Sequence, residues 1–233
     1  MRHFNVLCFL LVLVSMSCSS QESDQKLQEQ IKSKSYLALG DSYTIGESVP
    51  VSDRFPVILV NDLNGKGYNF QEPKIVAKTG WTTDELKTAI LKENLSENYD
   101  LVTLLIGVNN QYTGRDVENF RLEFADLLQM AIGFANDQPE KVVVVSIPDW
   151  GVSPFASGRD QEKIAEEIDL YNKVKKEETL KRNVTFVDIT VISRSGLGIP
   201  DYFAKDGLHF SGKMHQLWVN EIMSQYVDQK TSE

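Results

Sequence analysis

From Tyr36 onward, short apolar runs alternate with longer stretches of helical period, and this alternation does most to limit what the chain can fold into. Runs at 36–39, 74–77, 101–106, 142–147 and 184–189 are rich in Val, Ile and Leu and carry little polar alternation. Strands buried on both faces of a parallel sheet have this composition. The intervening segments read as helices. One spans 53–64 and stops at Gly65, and Thr82-Thr83-Asp84-Glu85 is a capping box that opens a second. Val117, Phe120, Phe124, Leu127, Leu128 and Ala131 mark a third, and Ile164, Ile168, Tyr171 and Val174 a fourth. Ser211 can cap a last helix whose apolar face is Leu217, Trp218, Ile222 and Tyr226. Repeated strand–helix units predict a three-layer α/β/α sandwich on a five-stranded parallel sheet. Such sheets bind ligands beyond the carboxyl ends of their strands.

The first run delivers chemistry to that edge. Tyr36-Leu37-Ala38-Leu39 breaks at Gly40-Asp41-Ser42 and passes into a polar turn, so a buried strand ends by presenting a serine hydroxyl. The backbone N–H groups that follow point to the same spot. Far downstream, Asp206-Gly207-Leu208-His209 sets a carboxylate and an imidazole three residues apart. A nucleophilic serine needs that pair for activation. His209 has two competitors: His3 lies near the start of the chain, and His215 falls within the last helix without a carboxylate three residues before it. Asp188 closes the fifth run and is a second candidate to orient His209, but the local Asp206 pairing is simpler. Asp41 reads as a residue that shapes the turn.

Other chemistries find little support. The Gly-x-Ser-x-Gly elbow is absent around Ser42. Gly207 to Lys213 has the spacing of a phosphate loop, but Met214 stands where Ser or Thr is required. With two cysteines and three histidines in all, a zinc cluster is not expected, and neither a metal nor a cofactor is needed. The formal net charge of −9 and the lack of a clustered basic face disfavour nucleic acid as a partner.

The N-terminus reads as a leader. Residues 4–16 are apolar apart from Asn5 and Ser15, too short a run to span a bilayer comfortably. Ser15-Met16-Ser17-Cys18 follows, and this boundary resembles the lipobox of bacterial lipoproteins. It implies cleavage after residue 17, a lipid on Cys18 and anchoring of an exported protein to a membrane. Residues 19–35 (SSQESDQKLQEQIKSKS) cannot bury a core and read as a polar tether. The expected organisation is a signal peptide over 1–17, the lipidated cysteine and tether over 18–35, and one domain over 36–233.

Four short blocks make the chain similar to the SGNH hydrolase superfamily, the GDSL esterases and lipases. They are Gly40-Asp41-Ser42, Lys78-Thr79-Gly80-Trp81, Gly107-Val108-Asn109-Asn110 and Asp206-Gly207-Leu208-His209. The third departs from the commoner Gly-x-Asn-Asp at its last residue. The resemblance implies a flavodoxin-like fold, a Ser42–His209–Asp206 triad and an acyl-enzyme. It implies an oxyanion hole from the backbone N–H groups of Ser42 and Gly80 and the side-chain amide of Asn109. It also implies a small-molecule ester as substrate: a small acyl ester, a lysophospholipid or an acetylated sugar. Tyr43, Trp81, Asn110, Tyr112, Trp150, Tyr202 and Phe203 flank the blocks and are candidates for the substrate pocket. The alternative is a non-catalytic surface lipoprotein that uses the same fold to bind glycan or lipid.

Overall fold

The structure, a computed structural model, describes residues 33–230, with side chains described as far as Tyr226. The leader, Cys18 and most of the expected tether therefore lie outside the described residues. Five strands, β1 (Tyr36–Gly40), β2 (Lys74–Ala77), β3 (Leu101–Leu105), β4 (Val142–Val145) and β5 (Thr185–Val187), form one sheet. All its pairings are parallel, in the order β2-β1-β3-β4-β5. The expected α/β architecture is the one observed. β1, β3 and β4 are buried along their whole length, which is why they carry continuous apolar runs.

Eight α-helices are described. The long ones are α2 (Phe55–Gly65), α3 (Thr83–Ile90), α5 (Val117–Phe134), α6 (Gln161–Leu180) and α8 (Gly212–Lys230); α1 (Ser42–Ile45), α4 (Val108–Tyr112) and α7 (Thr190–Arg194) are single turns. α5 packs on α3 and α6, and α2 packs on α8, giving the two outer layers. The Thr82 capping box forms as expected, with Glu85 Oε2 accepting from the Thr82 N–H at 3.0 Å. Ser211 behaves differently: its hydroxyl donates to the Asp201 carbonyl at 2.7 Å, tying α8 to the preceding turn. Polarity placed Lys34 and Ser35 in the tether, yet both hold the body. Lys34 N–H donates to Asn69 O at 2.6 Å, and Ser35 N–H donates to Asp100 Oδ2 at 2.8 Å. Among the described residues no helix is long and apolar enough to cross a membrane.

The chain leaves β1 first for β2 on one side and then for β3 on the other, so the topological switch lies between β1 and β3. A crevice opens at the carboxyl ends of strands on either side of such a point. Ser42 follows β1, Gly80 follows β2, and Asn109 follows β3. Three adjacent strand ends thus deliver three of the four sequence blocks to one place.

Candidate active site

Ser42 is the first residue of α1, and Asp41 is its N-cap, with Oδ1 accepting from Tyr43 N–H at 3.0 Å. The turn is tight because Gly40 sits against β3, where a Cβ would collide with the Thr44 hydroxyl and the Leu105 carbonyl. At Gly80 the constraint is conformational. Its φ is +88°, and a Cβ there would meet no protein atom within 4 Å, so the left-handed backbone and not crowding selects glycine. Asn109, in α4, donates from Nδ2 to the Trp81 carbonyl at 2.9 Å. One amide hydrogen is thereby fixed, and the second is left for the cleft that Asn109 lines.

His209 approaches from a loop closed at its base by the Phe203–Phe210 bridge and by Ala204 N–H donating to His209 O at 2.7 Å. Its Nδ1 lies 2.6 Å from Asp206 Oδ2, while Asp206 Oδ1 accepts from the Leu208 and His209 N–H groups at 2.9 and 3.0 Å. Partial burial raises the Asp206 pKa, but hydrogen bonds from Ser48, His209 and these backbone donors outweigh it. They hold the carboxyl far below its usual range, so Asp206 is ionised and His209 Nδ1 carries the proton. Nε2 is then the basic nitrogen. The Tyr43 ring meets the imidazole edge-on, with centroids 5.8 Å apart, which restrains its tilt.

Ser42, Gly80, Asn109 and His209 line one cleft of about 200 Å³. Tyr43, Tyr112 and Trp150, expected near a substrate, line it too, together with Thr79, Val108, Phe155 and Leu208, which the sequence did not single out. The other four pocket candidates do not line it, each for a physical reason. Trp81 packs its ring against the core, and its backbone carbonyl fixes Asn109. Asn110 is buried, with its Oδ1 accepting from Thr83 N–H at 3.1 Å and its Nδ2 donating to Thr83 Oγ1 at 2.7 Å. Phe203 packs at a tilt against Phe210, with ring centroids 5.3 Å apart, next to the His209 loop. Tyr202 packs beside the core and gives its carbonyl to Ser211 N–H.

The competing residues have other employment. His215 is buried, with Nδ1 2.8 Å from Asp53 O and its ring 4.8 Å from that of Trp218. Burial pushes its pKa down to about 4. Asp188 accepts from Ser146 Oγ and Thr190 N–H, so it is a turn residue at the end of β5. Among the described residues no group of three or more His, Cys, Asp or Glu side chains is placed to hold a metal ion.

Behind the Ser42 turn lies a pair that sequence reasoning passed over. Lys175 is fully buried and donates to the carbonyls of Ile106 and Val145 at 2.9 and 2.8 Å, where β3 and β4 end. Asp41 is equally buried, and its Oδ2 has no hydrogen-bond partner. Burial raises the Asp41 pKa and lowers that of Lys175, while each charge partly offsets the shift of the other. The signal was present in the helix phase, since Lys175 follows Ile168 by seven residues and Tyr171 by four.

Comparison with known proteins shows the family. The family model for the GDSL-like lipase/acylhydrolase family matches residues 38–217, which is most of the chain. This chain belongs to that family. Among solved structures, the family fold recurs in a lipase/acylhydrolase from Enterococcus faecalis, 22% identical, with a TM-score of 0.65 over 84% of this chain and 96% of that one. An acetylxylan esterase from Geobacillus stearothermophilus is 17% identical, with a TM-score of 0.65 over 83% of this chain and 94% of that one. A GDSL-family lipolytic protein from Veillonella parvula is 17% identical, with a TM-score of 0.64 over 84% and 99%. No curated protein matches this GDSL-like chain significantly. At these identities the structures speak to its fold.

Proposed function

We propose that this protein hydrolyses a short-acyl carboxylic ester through a covalent acyl-enzyme on Ser42. His209 Nε2 takes the hydroxyl proton as Ser42 Oγ attacks the carbonyl carbon, and the imidazolium then returns it to the departing alkoxide. A water molecule, deprotonated by the same nitrogen, releases the acid. Asp206 keeps the imidazole in the useful tautomer. The Ser42 and Gly80 N–H groups and the Asn109 amide face the negative charge that develops on the carbonyl oxygen.

The observation that carries this reading is the 2.6 Å contact between Asp206 and His209 Nδ1 in a loop that brings the imidazole into the same cleft as Ser42, Gly80 and Asn109. The cleft is smaller than the roughly 300–1,000 Å³ typical of drug-sized sites, which favours a short acyl group over a long chain. Cys18 would tether the domain to the membrane of an exporting cell, with residues 19–32 as a spacer.

The test compares His209→Ala with His215→Ala on one activated acetate ester. The first should lose about 10⁴-fold in kcat, and the second should keep its activity in whatever fraction folds. Loss of activity at position 215 with retention at 209 would undo the mechanism.

A further inference from the structure

Beside the aromatic residues that line the cleft lies a cation that the mechanism does not use. Tyr112, Trp150 and Phe155 all line the cleft and form a continuous set of rings. Centroids are 5.4 Å apart for Tyr112 and Trp150 and 6.2 Å apart for Trp150 and Phe155. Tyr112 and Phe155 reach solvent. Over them sits the guanidinium of Arg159, 4.7 Å from the Phe155 centroid, 5.6 Å from Trp150 and 5.9 Å from Tyr112.

This rim is fixed to the His209 loop. Phe155 N–H donates to Gly207 O at 2.8 Å, between Asp206 and His209. Trp150 is held from behind, its Nε1 donating to Gln111 Oε1 at 2.9 Å while Gln111 Nε2 donates to Glu167. Arg159 is anchored by its own N–H, which donates to Ala156 O at 2.9 Å.

No carboxylate among the described residues forms an ion pair with Arg159. The neighbouring Asp160 instead turns its carboxylate to the Lys163 N–H at the start of α6. A guanidinium that rests against aromatic rings and makes no ion pair has N–H groups to offer, and their fork matches the oxygens of a carboxylate or phosphate. On a chain of net charge −9, an unpaired cation beside the rings that line the cleft also offsets the repulsion an anionic substrate would meet.

We infer that Arg159, seated on the Tyr112–Trp150–Phe155 rim, determines specificity for esters whose alcohol portion bears an anionic oxygen group, a carboxylate or a phosphate. The inference rests on reading the Ser42–His209 cleft as an ester-hydrolysing site. The alcohol portion is assigned to the rim because a cleft of about 200 Å³ suits a small acyl group, and Tyr112 and Phe155, the two lining rings beside Arg159 that reach solvent, are where the rest of the substrate would emerge.

Three aryl acetates on one scaffold test it: methyl 4-acetoxybenzoate is neutral, 4-acetoxybenzoate carries a carboxylate, and 4-acetoxyphenyl phosphate carries a phosphate. Binding is measured by Trp fluorescence on the Ser42→Ala protein, so the readout needs no turnover. At least one anionic ester should bind about fivefold or more tighter than the neutral one, and 0.5 M salt should reduce the difference. The stronger of the two anions identifies the group. Adding Arg159→Gln should abolish the preference, and Arg159→Lys should keep part of it. Equal binding of all three esters, or a preference that survives Arg159→Gln, would show that the arginine only packs on the rings. Turnover by the wild-type protein is read separately. Hydrolysis without charge preference would overturn the subsite alone, whereas no hydrolysis of any of the three would overturn the esterase reading together with it.

Discussion

Replacing Lys175 with methionine should cost far more than a lysine substitution normally does. The ammonium satisfies two buried carbonyls, Ile106 O and Val145 O, and its charge opposes the rise that burial imposes on the pKa of Asp41. Methionine fills similar volume but donates nothing. Each orphaned carbonyl then costs about 1–3 kcal/mol, set against relief from burying a charged group. The net should fall near the roughly 3–5 kcal/mol seen when one partner of a buried pair is removed.

The loss also carries a pH signature. Burial already raises the Asp41 pKa, and Lys175 opposes that rise, so the variant raises it further. Between the unfolded value near 4 and the raised folded value, the folded state binds more protons than the unfolded state. Stability in that window therefore increases as pH falls, by up to about 1.4 kcal/mol per unit. Wild-type Lys175 acts in the opposite direction: its pKa is lowered by burial, so its contribution weakens as pH falls from the alkaline side. The deficit of Lys175→Met should thus be larger at pH 8 than at pH 5. Urea unfolding at both pH values measures it, and the double variant with Asp41→Asn should recover at least about 1 kcal/mol at pH 8. A variant within about 0.5 kcal/mol of wild type, or one whose deficit ignores pH, would refute the idea that Lys175 and Asp41 together support the Ser42 turn.

Three further outcomes follow from the same geometry. Asn109→Ala should lower kcat by roughly 10²–10³-fold with little change in KM, whereas Asn110→Ala should lower stability through its lost bonds to Thr83 and leave kcat nearly intact; steady-state kinetics alongside thermal melts separates the two. Ser48→Ala removes one hydrogen bond from Asp206 and should reduce kcat by about tenfold or less, while Ser48→Gly should show the same kinetic loss with a higher melting temperature, because Ser48 has a φ of +62°. Cys18→Ser should move the protein from the membrane to the soluble fraction of the exporting cell, and fractionation identical to wild type would discard the anchor.

The parts of this molecule legible in the sequence were those whose cause is local. β1, β3 and β4 could be read because two-sided burial forces continuous apolar runs. The place of Ser42 at the end of β1 and the contact between Asp206 and His209 could be read because strand end, turn and three-residue spacing are properties of adjacent residues. The walls of the cleft were less legible. Proximity along the chain does not decide which way a side chain faces: Asn110 turns into the body while its neighbour Asn109 reaches the cleft. Phe155 enters the site through packing between distant segments, its N–H bonded to Gly207 O, and nothing in its own neighbourhood announces it. Lys175 is the intermediate case, a polar residue in phase with an apolar helix face whose partners, the ends of β3 and β4, appear only once the sheet is assembled.

Labelling with a fluorophosphonate tests the central claim most directly, because the reagent phosphonylates a serine only when its hydroxyl is activated and its oxyanion is stabilised. The folded wild-type protein should take up one label, mapped by peptide mass to Ser42, with labelling strongly reduced in His209→Ala and abolished in Ser42→Ala. A folded wild-type protein that remains unlabelled, or that carries the label on any other serine, would contradict the account.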